Sequence, residues 1–422
     1  MPQQNQTLFE TYRQRYPIFT YEKYQFDIEG ARVNMEFTFR VGDEFVFTPQ
    51  MSLNPGKYGN ISLKDKEIEG LVFHIGMIEL ISYWKCVCSP TVLIIGRKLT
   101  EKQQAWWKKL YWKGLGEFFY QNGITSTSES FLQFEFSEGS LPIDEFEYHR
   151  VKESSATVVP IGGGKDSVVT LEHLRKEKTV VPFIINPRGA TLECARIAGF
   201  PHPEDIVILR RQIDAKLLEL NSQGYLNGHT PFSAMLAFHS LLVSAAVQVR
   251  DIALSNESSA NEPTIPGTEI NHQYSKSLEF EEDFRCYVKE NMGDCAHYFS
   301  YLRPYTELQI ASFFAQYPAY FPVFKSCNAG SKTDIWCCNC PKCLFAYIIL
   351  SPYIDDETMI RIFGEDLLDK PSLVTYFEEL TGMAEVKPFE CVGTIDEVNR
   401  ALAMLGKDRE EKFLVKHWLS KN

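Results

Sequence analysis

The chain of 422 residues lacks several features that would assign it at once. Its opening residues, MPQQNQTLFETYRQRYP, contain no apolar leader segment. No stretch stays apolar for the roughly 20 residues that a membrane helix needs. The best candidate, Phe232 to Val249, is interrupted by Ser233, His239, Ser240, Ser244 and Gln248 and suits a buried helix better. Positive charge is in deficit: 43 Lys and Arg stand against 55 Asp and Glu, a net charge of −12. That balance opposes nonspecific binding to nucleic acid or to anionic membranes. It leaves open a polyanionic small molecule held in a local basic site. Repeats and low-complexity tracts are missing too. The eleven cysteines are clustered in a long chain, unlike the scaffold of a secreted disulfide protein. We therefore expect a cytoplasmic protein with a small-molecule substrate and with neither nucleic-acid nor membrane partners.

What is present is an ordinary globular balance, 44% hydrophobic and 13% aromatic, in a chain long enough for two or three domains. Residues 1–150 suggest an α+β domain. Val33 to Phe47 alternates as a strand pair around Gly42 and Asp43. Leu71 to Trp84 and Glu101 to Phe119 suggest helices, the second with a core stripe of Trp106, Trp107 and Trp112. The acidic stretch Glu135 to Glu153 suggests a linker. From 157 the pattern becomes strand, turn, helix, with further strands at Val180–Ile185, Ile206–Leu209 and Ile252–Ser255. Helices are expected at Ala190–Ala198 and Pro231–Arg250. Residues 151–350 thus predict a doubly wound parallel sheet of the α/β class, whose ligands sit at the carboxyl ends of strands. Residues 351–422 form a small mixed C-terminal segment, with a turn at Cys391–Thr394.

The turn after the first of these strands carries the chemistry. Residues 157–174 read TVVPIGGGKDSVVTLEHL. Glycines let a ligand approach the backbone, and the helix that follows offers free N–H groups to an anion. The Walker A spacing is absent, and the dinucleotide fingerprint would need glycine where Ser167 stands. The stretch resembles instead the pyrophosphatase loop (PP-loop, of the HUP-like class) of N-type ATP pyrophosphatases, usually Ser-Gly-Gly-x-Asp-Ser. Here Gly162 takes the first serine's place, before Gly163, Gly164, Lys165, Asp166 and Ser167.

Two more polar clusters fall at predicted strand ends: Asn186–Arg188, and Ser255–Asn261 in SNESSAN. Asn256, Glu257, Ser258, Asn261 and Glu262 offer acceptors for hydrated Mg²⁺ or ribose. Downstream, NHQYSKS (271–277) adds donors and titratable groups. Residues 326–343, SCNAGSKTDIWCCNCPKC, place Cys337, Cys340 and Cys343 at two C-x-x-C steps, with Cys327 upstream. Four thiolates suit tetrahedral zinc in a structural role, leaving Cys338 spare, with an iron–sulfur cluster or a set of free buried thiols as the alternatives.

Together IGGGKDS, SNESSAN, NHQYSKS, NCPKC, FECVGT (389–394) and FHIGMIELISYWK (73–85) resemble the bacterial UDP-N-acetylmuramoyl-L-alanyl-L-glutamate epimerase family across most of the chain. The resemblance implies an isomerase. It would invert the terminal L-glutamate of a UDP-linked muramoyl dipeptide for peptidoglycan synthesis, using ATP and Mg²⁺ through a carboxylate adenylate and releasing AMP and pyrophosphate. Gly162 to Ser167 would then hold pyrophosphate, with Asn186, Arg188, Asn256 and Glu257 as further cofactor contacts. His272, Tyr274, Lys276 and Cys295 are candidate proton carriers or carboxylate clamps, with Cys286 and His297 in reserve. Two alternatives keep parts of this reading. A PP-loop ligase or a nucleotide- or tRNA-modifying enzyme would adenylate another substrate, and a regulatory module would bind nucleotide without turnover.

Overall fold

The computed structural model describes residues 2–59, 65–148, 151–153 and 155–421. They form a mixed α/β fold with two compact units, each assembled from separated stretches of chain. The first takes residues 1–154, 207–252 and 279–298; the second takes 155–206, 253–278 and 299–422.

In the first unit, strands Ile18–Glu29, Arg32–Val41, Gln50–Asn54 and Val207–Gln212 pair antiparallel in that order. Thr91–Ile94 lies parallel to Ile18–Glu29, and Gln133–Phe136 parallel to Thr91–Ile94. The alternation at 33–47 is realised as a hairpin: Val33, Met35, Phe37, Phe39 and Val41 are buried while their neighbours are not. Strand Phe45–Phe47 returns against it, Phe39 opposite Phe47. Helix Asp65–Trp84 is buried throughout from Gly70 onward. A helix apolar on all sides needs such surroundings. It packs on strand Ile18–Glu29 and on helix Phe232–Val247. The approach is so close that a Cβ at Gly76 would lie 1.8 Å from Tyr21 Oη, which leaves room for glycine alone. The tryptophan stripe is core: Trp107 is buried, and Trp106 lies 4.2 Å from the Tyr287 ring.

In the second unit, strands Ala156–Pro160 and Thr179–Ile185 are parallel, Ala156 opposite Thr179. The ends of strands Asp251–Leu254 and His297–Ser300 complete the order on the other side of Ala156–Pro160. Helix Lys165–Leu174 packs on Ala156–Pro160 and on helix Glu307–Phe314. The expectation of a mixed C-terminal segment is corrected. From Pro341 the described residues are helical and contain no strand, with helices Pro341–Leu350, Asp356–Phe363, Val374–Thr381, Ile395–Ala403 and Phe413–Leu419. Capping drives this locally. Thr394 and Glu397 form a reciprocal box at the start of Ile395–Ala403, and Asp355 caps Asp356–Phe363.

One charge pair lies within the first unit's core. Glu79, fully buried, accepts two hydrogen bonds from Arg211 at 2.7 and 2.8 Å. Removing one partner would leave the other charge buried and uncompensated. Glu79→Ala is therefore expected to lower the unfolding free energy by about 3–5 kcal/mol, whereas replacing both residues by methionine recovers most of it. Urea denaturation of the wild type and the two variants measures the difference; equal losses in the single and double variants would contradict it.

Candidate active site

Strand Ala156–Pro160 ends in the glycine turn, and each glycine there has its own reason. Gly162 is exposed, with no atom within 4 Å of where a Cβ would stand. Gly163 adopts φ +82°, and a Cβ there would sit 3.1 Å from the backbone of Ala190 and Thr191. Gly164 passes 3.3 Å from Ser326 Cβ on the same basis. Helix Lys165–Leu174 starts on Gly164 without a side-chain cap, so its first N–H groups stay available to an anion. Arg188, half-buried, donates to Gly162 O at 3.2 Å, and Lys325 N donates to Gly163 O at 2.8 Å. Asn186, at the end of the next strand, is exposed with φ +47°. Ser167 Oγ is spent within the helix start, donating to Gly164 O at 3.0 Å.

Lys165 points inward. Its side chain is 6% exposed, and the ammonium donates to Asp166 Oδ1 at 2.5 Å and to Glu307 Oε2. Burial works against that charge, but Asp166 and Glu307 outweigh it and hold the pKa up. Glu307 opens helix Glu307–Phe314. Its own N–H donates to Glu397 Oε1 at 2.8 Å, so the C-terminal helices fix where the carboxylate starts. Burial pushes Glu307 up to about 8.

These groups line a cleft shared with Glu257, Lys276, Lys342, Phe345 and Cys391. Segments far apart in the chain build it. Gln273 Nε2 donates to Val392 O at 3.0 Å, Lys387 Nζ to Glu262 and to Gly393 O, and Lys387 N to Thr264 O at 3.3 Å. The NHQYSKS and FECVGT stretches thus lie side by side. Lys276 is half-buried. Burial opposes its charge, while Cys391, Glu257 and Asp166 raise its pKa. Glu257 is 3% exposed, and burial raises its carboxyl above the usual range. The Asn256 amide is engaged by Ser300 Oγ at 3.0 Å, and Asn261 Oδ1 accepts from Leu278 N at 2.7 Å. Both therefore act as braces.

The structure brings together Gly162 to Ser167, Arg188, Glu257, His272 and Lys276, all in the second unit. Tyr274 is buried at 5% beside them in the chain. Cys295 belongs to the first unit, does not line the cleft, and has its thiol pushed up to about 12 by burial. Cys286 is exposed, and His297 faces Asp251 at 3.1 Å. Reasoning from sequence passed over Glu307, Lys342 and Cys391 as site residues. The only signals were that Lys342 lies in NCPKC and Cys391 in FECVGT.

Cys327, Cys337, Cys340 and Cys343 converge with all four sulfurs within 4.8 Å of one another. The 327–340, 337–343 and 340–343 pairs are 3.9, 3.8 and 3.5 Å apart. Tetrahedral zinc with sulfurs at about 2.3 Å sets them roughly 3.8 Å apart, so the donor set fits that ion. Cys340 caps helix Pro341–Leu350. Hydrogen bonding by Cys343, first of several donors, holds the Cys340 thiol down to about 5. Cys338 turns away to donate to Phe363 O at 3.0 Å.

An open trough of about 660 Å³ lies in the first unit, lined by groups such as Gln25, Asn34, Gln50 and Arg210. Its lining has no buried ionisable side chain, whereas the smaller cleft has Lys165, Glu257 and Glu307. Among the described residues no helix is long and apolar enough to cross a membrane.

Residues 10–301 match the family model described as the MurL N-terminal domain, and residues 323–421 the MurL C-terminal domain. Three similar proteins are named UDP-N-acetyl-alpha-D-muramoyl-L-alanyl-L-glutamate epimerase. They come from a Micromonospora species (33% identity), Salinispora tropica (34%) and Xanthomonas oryzae pv. oryzae (31%). Each alignment covers 93% of the chain and 88%, 86% and 87% of the respective relative. By both its domain matches and these full-length similarities, the chain belongs to the MurL family, that of the UDP-N-acetylmuramoyl-L-alanyl-L-glutamate epimerases.

Proposed function

We propose that the chain epimerises the terminal L-glutamate of UDP-N-acetylmuramoyl-L-alanyl-L-glutamate to the D form, with ATP activating the α-carboxylate as an adenylate. The relatives carry the name of that epimerase. The observation that carries the adenylate reading is the uncapped, glycine-lined helix start lying against a cleft of buried acid–base groups.

The difficulty of the reaction explains the pairing. The α-hydrogen beside a carboxylate is a very weak acid, because its loss puts a second negative charge next to the first. An acyl adenylate removes that first charge and lets the carbanion spread into the carbonyl. A base then takes the proton and an acid returns one to the other face. The enclosed part of the cleft is about 50 Å³, room for one or two waters. The nucleotide therefore lies outside it, against exposed Gly162 and Arg188, and only the reacting end of the peptide enters. The free N–H groups at the start of Lys165–Leu174 would hold pyrophosphate. Asp166 and Glu307 would supply oxygen ligands for Mg²⁺, which would neutralise phosphate charge. The Cys327–Cys343 cluster would hold structural zinc. It would fasten the chain that sets Lys325 on Gly163 and starts the helix bearing Lys342 and Phe345.

The assay is incubation with ATP, Mg²⁺ and the L-glutamate-terminated nucleotide in D₂O. Deuterium at the glutamate α-carbon together with AMP and pyrophosphate is expected. AMP without α-deuterium would instead indicate ligation or transfer, and no AMP a binding module. Asp166→Ala is expected to cut AMP release by at least about 100-fold with an unchanged circular dichroism spectrum.

Glycine substitutions test the turn. Gly162→Ser has open space and should leave turnover within about threefold. Gly163→Ala, strained at φ +82°, should lose stability by about 1 kcal/mol or more together with activity. Equal behaviour of the two would contradict the turn's proposed role.

Metal analysis of the purified chain is expected to give about one zinc per molecule. Cys340→Ser should release it and lower the melting temperature. A zinc-free, equally stable wild type would overturn the zinc assignment.

A further inference from the structure

We propose that Cys391 is the base that takes the α-proton of the activated glutamate, from a place in the cleft shared with Lys276, Lys342 and Glu257. This rests on the adenylate reading above and names the residue that acts after activation.

Four observations converge on it. Cys391 lines the cleft that begins at Lys165 and Asp166. It sits on the bend just before Thr394 caps helix Ile395–Ala403, and Gln273 ties the neighbouring Val392 to the NHQYSKS stretch. His272 and Lys276 both face its sulfur. The fourth is Glu257, buried and lining the same cleft beside Lys276.

Electrostatics agrees with the geometry. The charged and titratable groups facing the thiol are Lys276, His272, Lys342, Glu257 and the adjacent Glu390. Burial alone would raise the thiol, but Lys276 and Lys342, with His272, hold it well below its ordinary range. Glu257 moves the other way, raised by burial. Two groups in one cleft whose environments push them apart make a base and an acid. Cys295, the thiol expected from sequence for this work, stays protonated by comparison.

The step balances as follows. Cys391 Sγ bonds to the α-hydrogen as the Cα–H bond breaks. The freed electron pair spreads into the acyl carbonyl, and the thiolate becomes a neutral thiol. Glu257 delivers its proton to the opposite face of the α-carbon and becomes a carboxylate. Exchange with solvent returns both groups to their starting states, which is how deuterium from D₂O reaches the product.

The test separates activation from proton transfer. In D₂O with ATP, Mg²⁺ and the L-glutamate-terminated nucleotide, wild type should give pyrophosphate and α-deuterated peptide. Cys391→Ala should keep its first-turnover burst of pyrophosphate within about threefold and lose α-deuteration by at least about 100-fold. Cys391→Ser, nearly the same size, should show the same split and guards against a folding defect. α-Deuteration near the wild-type rate in either folded variant overturns the assignment. So does joint loss of pyrophosphate and deuteration, which would place Cys391 in activation. Absence of pyrophosphate from wild type would overturn the adenylate reading itself and the role of Cys391 with it.

Discussion

The site depends on one buried ammonium. Lys165 sits at the first position of its helix, 5% exposed, between Asp166 and Glu307. Burying a single charge would be prohibitive, and burying it with two carboxylates is tolerable only if each is fixed by something else. Glu307 is fixed through its own N–H by Glu397, and Asp166 by belonging to the same helix turn. The glycine turn, the cleft and the C-terminal helices thereby become parts of one electrostatic arrangement. A change at Glu397, remote from the glycine turn in sequence, reaches Lys165 through a single intervening residue.

The same logic explains why the C-terminal helices belong to the unit that holds the cleft. They supply Lys342 and Phe345 from helix Pro341–Leu350, and Cys391 from the bend before Ile395–Ala403. The NHQYSKS stretch meets that bend through Gln273 and Lys276. Cationic groups outnumber thiols there, so the electrostatic field favours negative charge on sulfur. In the same cleft, burial raises the carboxyl of Glu257. Neighbouring groups in one cleft thus meet opposite fields.

Much of this was legible in the sequence wherever a local pattern was enough. The strand ending at Pro160, the glycines and the helix from Lys165 follow from a change of hydrophobic period, and the antiparallel hairpin at 32–47 from strict alternation. The thiolate cluster was readable because two-residue spacing lets sulfurs converge. What escaped depends on distant segments. Nothing in the spacing of Glu307, Lys342 or Cys391 marks them as neighbours of Lys165, and a lone cysteine in FECVGT carries no periodic signal. The inward turn of Lys165 was equally hidden, since a lysine after glycines looks like a phosphate hook until Glu307 is seen beneath it. Composition marks a boundary near 150 but gives no sign that residues 207–252 and 279–298 return to the first unit.

That threading has a consequence for how the protein comes off the ribosome. The first unit needs strand Val207–Gln212 to pair with Gln50–Asn54, and helix Leu278–Asn291 to place Tyr287 against Trp106. Its sheet and core therefore stay incomplete until about residue 298 has emerged, so sequential domain-by-domain maturation during synthesis is closed to it. Pairings that span such long stretches of chain also slow folding, because loop closure must come first. Cutting the gene at the compositional boundary would yield an N-terminal fragment without strand Val207–Gln212 and helices Phe232–Val247 and Leu278–Asn291, and a C-terminal fragment that carries those elements without the core they pack into.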